Sequence, residues 1–160
     1  MEKILRRVYS SKKISTSLKI ISHASVLVCI ASYMAVLVFS YLESPLTALK
    51  ILIFSAVPYV VVSLARKIIN APRPYELYDF YEIKPKDKKG HSFPSRHVFS
   101  AFSVATFAYI TSVWLSIALA VVGVCLAVSR VLLGMHFTRD VCAGSLIGIL
   151  SGVIGLIAII

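Results

Sequence analysis

Long apolar stretches are the feature of this sequence that most limits what it can fold into. Residues 20–41, 46–65 and 141–160 each have about the 20 residues, mostly apolar, that an α-helix needs to cross a bilayer. Residues 98–133 are almost wholly apolar and have room for two short spans with a turn near residues 112–116. The sequence therefore predicts an all-α integral membrane bundle of about five transmembrane helices, in a single domain over residues 1–160.

Composition supports a membrane location. Hydrophobic residues make up 58% of the chain, against about 45–50% in a soluble domain. The net charge is +10 although only 15% of residues are charged, and the charges border the apolar spans. Anionic headgroups and phosphates are therefore the expected partners, rather than nucleic acid. Cys29, Cys125 and Cys142 lie in apolar stretches and match no metal or redox spacing.

Two segments outside the spans are polar. Residues 1–17 mix basic and apolar side chains, which fits either a short amphipathic helix on the membrane surface or a frayed basic tail. Residues 66–96 form the longest polar segment of the chain, and a loop of this length in a compact protein is usually functional or disordered. We interpret residues 66–96 as the catalytic loop.

Three polar clusters interrupt the spans, and an up-and-down bundle of five helices brings all three to the same end. They are Arg66 with Arg73 and Pro74; Pro94, Ser95, Arg96 and His97; and Ser129, Arg130, His136 and Asp140. Each cluster alone has an ordinary explanation, such as a headgroup anchor or a helix cap. Ionisable groups that converge against a bilayer are costly, so the set together indicates a functional site.

The residue types in these clusters suit phosphate chemistry. Guanidinium groups match the oxygens of a phosphate dianion. Of two nearby histidines, one can act as nucleophile and the other as general acid, and a carboxylate can set the tautomer of one ring. The clusters lack the grouped carboxylates of a magnesium or two-metal site, and the spacing of His91, His97 and His136 fits no zinc motif. We therefore expect no metal and no other cofactor.

The three clusters resemble the signature motifs of the type-2 phosphatidic acid phosphatase family. This family contains membrane lipid phosphatases and diphosphatases and is related to the vanadium haloperoxidases. The matching patterns, in the family's order, are Arg66-x6-Arg73-Pro74, Pro94-Ser95-Arg96-His97 and Ser129-Arg130-x5-His136-x3-Asp140. The resemblance implies a metal-independent lipid phosphatase or diphosphatase.

The resemblance also implies a role for each matching residue. His136 would attack phosphorus and form a phosphohistidine, Asp140 would orient and support His136, and His97 would protonate the leaving lipid oxygen. The implied phosphate-binding residues are Arg66, Arg73, Ser95 and Arg130.

Two positions depart from the family pattern. Arg66, followed by Lys67, stands where the family has lysine, and Arg96 stands where it often has glycine. Arg96 is expected either to add a phosphate contact, including one to a second phosphate, or to point into water. Lys67 and His91 are accessory candidates.

Three other functions fit the sequence less well. A non-catalytic protein that binds anionic lipids would explain the basic charge, but does not require His97, His136 and Asp140 in register. A transporter is disfavoured because the chain has no internal repeat, and a vanadate-dependent peroxidase because the chain is mostly transmembrane. The substrate candidates are phosphatidic acid, phosphatidylglycerol phosphate and polyprenyl diphosphate; the sequence chooses neither among them nor an oligomeric state.

The charge distribution bears on which side of the membrane the site faces. In a five-span chain, 16 of the 17 lysines and arginines lie on the side of the three clusters, and Lys50 alone lies opposite. The positive-inside rule places the richer side in the cytoplasm. The resemblance implies the outer face as an alternative, because many bacterial relatives act there. The charge count favours a site that faces the cytoplasm.

Overall fold

The computed structural model describes residues 2–78 and 89–159, and every regular element in these ranges is helical. The elements are α1 (Glu2–Ser10), α2 (Lys12–Glu43), α3 (Pro45–Ile69), α4 (Pro74–Leu77), α5 (Arg96–Phe107), a 3-10 turn (Ala108–Ile110), α6 (Val113–Leu132) and α7 (Thr138–Ile159). The all-α prediction is confirmed.

Four segments of the described chain are long and apolar enough to cross a membrane by length and composition. They are α2, α6, α7 and the segment Pro45–Leu77, which contains α3 and α4. The predicted spans 20–41 and 46–65 lie inside α2 and α3, and the predicted span 141–160 corresponds to α7. The chain is therefore a multi-pass membrane protein, as predicted.

The remaining predicted span is α5, which is shorter than a membrane-crossing helix. Its 12 residues rise about 18 Å at 1.5 Å per residue, against a hydrocarbon core about 30 Å thick. The chain then turns at Thr111 and Ser112, at the start of the predicted range 112–116. There, Ser112 Oγ accepts a hydrogen bond from the Trp114 N–H at 3.2 Å. Because α5 packs against α2, α3, α6 and α7, it forms the centre of the bundle.

Two glycines of α7 allow α5 and α7 to approach closely. A Cβ atom at Gly144 would lie 2.6 Å from the Ser95 carbonyl oxygen, and one at Gly148 would collide with the Phe99 carbonyl oxygen. Small residues let helix backbones meet in this way inside membranes. The contact brings the first turn of α5 against the first turn of α7, where the second and third polar clusters lie.

The N-terminal segment lies at the same end of the bundle as these clusters. Leu5 and Val8 of α1 are buried, and the Tyr9 hydroxyl donates a hydrogen bond to the Leu133 carbonyl oxygen at 3.1 Å. At the opposite end, Lys50 Nζ donates to the Ala158 carbonyl oxygen at 2.7 Å. Residues 2–10 are thus helical, and the placement of α1 on the membrane surface stays a prediction.

The outer surface of the bundle is apolar. Large exposed side chains occur along the four long helices, as at Leu27, Phe39, Val61, Val121 and Leu150. The buried set instead includes arginine, serine, histidine and aspartate. This arrangement suits lipid outside and a polar site inside.

Candidate active site

Main-chain hydrogen bonds join the three polar clusters. The Ser92 N–H donates to the Ala71 carbonyl oxygen, and the Ser95 N–H donates to the Asp140 carbonyl oxygen, both at 2.9 Å. The first bond ties the segment after α3 to the segment before α5. The second ties the start of α5 to the start of α7. The convergence expected from an up-and-down bundle is therefore present in the structure.

His136 lies in the turn between α6 and α7 and is 2% exposed. Its Nδ1 atom lies 2.9 Å from the Ser92 carbonyl oxygen. A carbonyl oxygen only accepts hydrogen bonds, so Nδ1 carries the hydrogen that it donates. The Nε2 atom of the neutral ring then holds a free electron pair, which is what a nucleophile requires.

Asp140 is fully buried in the first turn of α7, close to His136. Its Oδ2 atom accepts hydrogen bonds from the Ser92 hydroxyl and from the Phe137 N–H, the latter at 2.9 Å. The same oxygen lies 3.7 Å from His136 Nδ1. The Oδ1 atom lies 3.6 Å from Arg139 Nε. Ser92 thus links the two side chains: its hydroxyl donates to the Asp140 carboxylate, and its carbonyl oxygen accepts from the His136 ring.

Burial lowers the pKa of His136 below the usual range of histidine. The Asp140 carboxylate opposes this shift, whereas the positive charges of Arg73 and Arg66 reinforce it. The ring is therefore neutral at neutral pH. Neutrality keeps the Nε2 electron pair available.

Two buried arginines of the first cluster point at main-chain carbonyl groups. Arg66 Nη1 donates to the Pro94 carbonyl oxygen at 2.7 Å, and Arg73 Nε donates to the Gly90 carbonyl oxygen at 3.0 Å. Arg73 also lies against the Tyr75 ring, with its guanidinium carbon 5.7 Å from the ring centroid. These bonds hold each side chain in place and use only part of its donor capacity.

Arg130 lies in the last turn of α6 and is also buried. Its Nη1 atom lies 3.3 Å from the Met135 sulfur, and its Nε atom has no hydrogen-bond partner among residues 2–78 and 89–159. The neighbouring Ser129 hydroxyl donates to the Leu126 carbonyl oxygen of its own helix at 2.8 Å. Arg130 therefore has unused donors, whereas the Ser129 hydroxyl is already engaged.

Within the described ranges, Arg66, Arg73 and Arg130 form no ion pair with a carboxylate. Their exposed fractions are 6%, 8% and 8%. A buried charge without a partner is costly, and an anion that fills the site removes that cost. A phosphate dianion matches the charge and the geometry of guanidinium groups.

Ser95 occupies the N-cap position of α5 and is fully buried. Its hydroxyl has no hydrogen-bond partner in the part of the chain that the structure describes. Buried hydroxyl groups are normally hydrogen-bonded. The hydroxyl is therefore available to a ligand, as its predicted phosphate-binding role requires.

His97 and Arg96 follow Ser95 and line a cavity of about 510 Å³. The His97 side chain is exposed, with no hydrogen bond to a described residue. Arg96 turns towards α3, where its Nη1 atom lies 3.4 Å from Ser63 Oγ and its guanidinium lies over the Tyr59 ring. Of these two partners, Tyr59 lines the cavity, and the phosphate contact expected for Arg96 stays a prediction.

The two accessory candidates differ in their surroundings. His91 is partly buried, and its Nδ1 atom lies 3.0 Å from the Arg66 carbonyl oxygen, so the ring supports the main chain of a phosphate-binding candidate. Lys67 is exposed at the end of α3. Residues 79–88 of the predicted catalytic loop lie outside the described residues. In the described ranges, no three His, Cys, Asp or Glu side chains form a group that could hold a metal.

Ser92 is the main residue that sequence reasoning missed. It contributes a carbonyl group to His136 and a hydroxyl group to Asp140. The only feature of the sequence that could have indicated Ser92 is its position three residues before Ser95. Its carbonyl group could not have been predicted, because every residue carries one.

The sequence of this chain matches a known protein family. A family model described as the PAP2 superfamily matches residues 47–159, which contain all three clusters. The lipid A 1-phosphatase of Porphyromonas gingivalis is 31% identical to this chain over 98 residues. Those residues make up 59% of this chain and only 21% of that relative.

Two crystal structures share the fold. LpxE from Aquifex aeolicus has a TM-score of 0.71 at 21% identity, over 96% of this chain and 93% of that one. The PAP2-type phosphatidylglycerolphosphate phosphatase from Bacillus subtilis has a TM-score of 0.57 at 22% identity, over 96% of this chain and 89% of that one. Both structural matches cover nearly the whole chain and therefore extend beyond the three polar clusters.

Proposed function

Because the chain belongs to the PAP2 superfamily, we propose that it is a membrane lipid phosphatase that works through a phosphohistidine on His136. The observation that carries this proposal is the bond from His136 Nδ1 to the Ser92 carbonyl oxygen. That bond leaves Nε2 with its electron pair. The buried arginines nearby supply the positive charge that a phosphate dianion needs.

In the first step, the Nε2 electron pair of His136 attacks phosphorus. The N–P bond forms while the bond from phosphorus to the lipid oxygen breaks. The His97 ring, which is protonated once the negative charge of the phosphate lies beside it, gives its proton to the leaving oxygen. Arg66, Arg73, Ser95 and Arg130 hold the other phosphate oxygens, where their donors stabilise the charge of the transition state.

In the second step, a water oxygen attacks the phosphorus of the phosphohistidine. The neutral His97 ring takes a proton from this water as the P–O bond forms and the N–P bond breaks. Inorganic phosphate leaves, and both histidines return to their starting states. Neither step calls for a metal.

We expect the purified protein to release phosphate from lipid substrates in excess EDTA, at a rate within about twofold of the untreated rate, because arginines supply the positive charge. The assay measures inorganic phosphate from phosphatidic acid, phosphatidylglycerol phosphate, lipid A phosphate and polyprenyl diphosphate in detergent micelles. His136→Ala serves as the blank. An absolute requirement for added magnesium would overturn the mechanism.

His97→Ala should reduce the rate on a lipid phosphate by about 10²–10⁴-fold, the usual contribution of a general acid. A nitrophenyl phosphate has a good leaving group that needs little protonation, so its rate of hydrolysis should fall far less. Both rates are measured with the same preparation of the variant. Equal losses on the two substrates would show that His97 is not the general acid.

We further propose that the site faces the cytoplasm. The contact between Tyr9 and Leu133 supports this, since it places the basic N-terminal segment at the end of the bundle that holds the site. The six lysines and arginines of residues 1–19 then add to the charge of the same side.

Cysteine labelling tests the orientation. In a chain without its native cysteines, Lys86→Cys should resist a membrane-impermeant thiol reagent in intact cells and react after lysis. Glu43→Cys, at the far end of α2, is the matched control and should show the opposite pattern. Labelling of Lys86→Cys in intact cells would place the site on the outer face.

A further inference from the structure

The cavity beside His97 has one charged wall. Its lining comes from α2, α3, α5 and α6, and it is apolar apart from a few groups. The Tyr33 and Ser55 hydroxyls are hydrogen-bonded to each other at 2.6 Å. Arg96 and His97 provide the basic side chains. A volume of about 510 Å³ lies within the range of ligand pockets.

Arg96 is held in place without being neutralised. Its contacts are the Ser63 hydroxyl at 3.4 Å and the Tyr59 ring, whose centroid lies 5.8 Å from the guanidinium carbon. A neutral hydroxyl and an aromatic face orient a guanidinium but do not cancel its charge. Among residues 2–78 and 89–159, no carboxylate pairs with it. Most of its five N–H donors remain free for an anion.

The cavity lies on the leaving-group side of the site. His97, which protonates the leaving oxygen in the proposed reaction, lines it. Arg66, Arg73 and Arg130, which hold the transferred phosphate, do not. An anion bound by Arg96 would therefore belong to the part of the substrate that stays with the lipid.

We propose that Arg96 binds the inner phosphate of a lipid diphosphate whose hydrocarbon chain occupies the cavity. This inference rests on the proposed function and specifies its substrate class. His136 attacks the outer phosphorus, the bond from that phosphorus to the bridging oxygen breaks, and the lipid monophosphate leaves with the electron pair on that oxygen. Arg96 stabilises this charge, and His97 supplies a proton.

The test compares farnesyl diphosphate with farnesyl monophosphate, two substrates with the same chain. We expect the native protein to show the higher kcat/KM on the diphosphate. Arg96→Gln should lower the ratio of the two kcat/KM values by about 10–100-fold, as expected for loss of a hydrogen bond to a charged group. Lys13→Gln, which removes an exposed positive charge on α2, should leave the ratio unchanged.

Arg96→Lys is the second variant, since it keeps the charge and the length of the side chain. It should retain part of the preference, because lysine offers a point charge without the planar fork. Equal losses on both substrates in Arg96→Gln, or an unchanged ratio, would overturn the role of Arg96. So would a native protein that does not prefer the diphosphate.

The same assay separates this inference from the proposed function. Release of phosphate from either substrate that disappears in His136→Ala supports the phosphatase, whatever Arg96 does. No release from any lipid by the native protein would refute both proposals.

Discussion

Replacing His136 with alanine is expected to lower phosphate release by at least about 10⁴-fold, because loss of a nucleophile removes the reaction path itself. The Nε2 atom is the only part of the ring that keeps a free electron pair, since Nδ1 is occupied by the Ser92 carbonyl group. The measurement is inorganic phosphate released per protein per minute from the best lipid of the panel.

Binding must be measured on the same variant. His136→Ala should still bind vesicles that contain anionic lipid, since the arginines remain. The intact mass of the native protein, quenched during turnover at alkaline pH, should include a fraction with one added phosphoryl group that His136→Ala lacks. Full activity of His136→Ala would refute the nucleophile. A native protein that binds these lipids without turnover would favour the non-catalytic alternative.

Asp140→Asn is expected to lower kcat by about 10²–10⁴-fold, by analogy with other buried carboxylates that orient a catalytic histidine. The substitution keeps the shape of the side chain but replaces one oxygen by an NH₂ group. Oδ2 accepts hydrogen bonds from the Ser92 hydroxyl and the Phe137 N–H, and an NH₂ group at that position cannot accept them. The fold should survive, because the amide can rotate to present its remaining oxygen.

The pH dependence of this variant has a definite sign. Protonated His136 cannot attack, so kcat/KM falls as the pH drops through the pKa of the ring. Asp140 raises that pKa against the effect of burial. Removing the negative charge therefore lowers the pKa, and the acid limb of kcat/KM should move to lower pH in Asp140→Asn. An acid limb that moves to higher pH would contradict the electrostatic role of Asp140.

Ser92→Ala is the matched control for this pair. It removes the hydroxyl bonded to Asp140 but keeps the main-chain carbonyl group that accepts from His136. The tautomer of His136 should therefore survive, and the loss of kcat should be smaller than in Asp140→Asn. An equal or larger loss would show that the serine hydroxyl, rather than the carboxylate, controls the ring.

The sequence by itself was sufficient for the class of fold and for the positions of the candidate residues. Apolar length decides membrane spans because backbone polar groups must be satisfied within each segment in lipid. Residue chemistry adds the candidate roles: arginines suit phosphate binding, histidines suit attack and proton transfer, and a carboxylate lies at a fixed spacing from one histidine. The order of the three clusters along the chain then led to the family that residues 47–159 match.

Only the tertiary structure decided which groups these residues contact. The partner of His136 is a carbonyl group, which no residue type encodes. The short length of α5 depends on its central place in the bundle, where α2, α3, α6 and α7 surround it. Arg96 turns to Ser63 and Tyr59, more than 30 positions away in the chain. Contacts of this kind depend on how helices pack against one another, and hydropathy and motif spacing describe each helix separately.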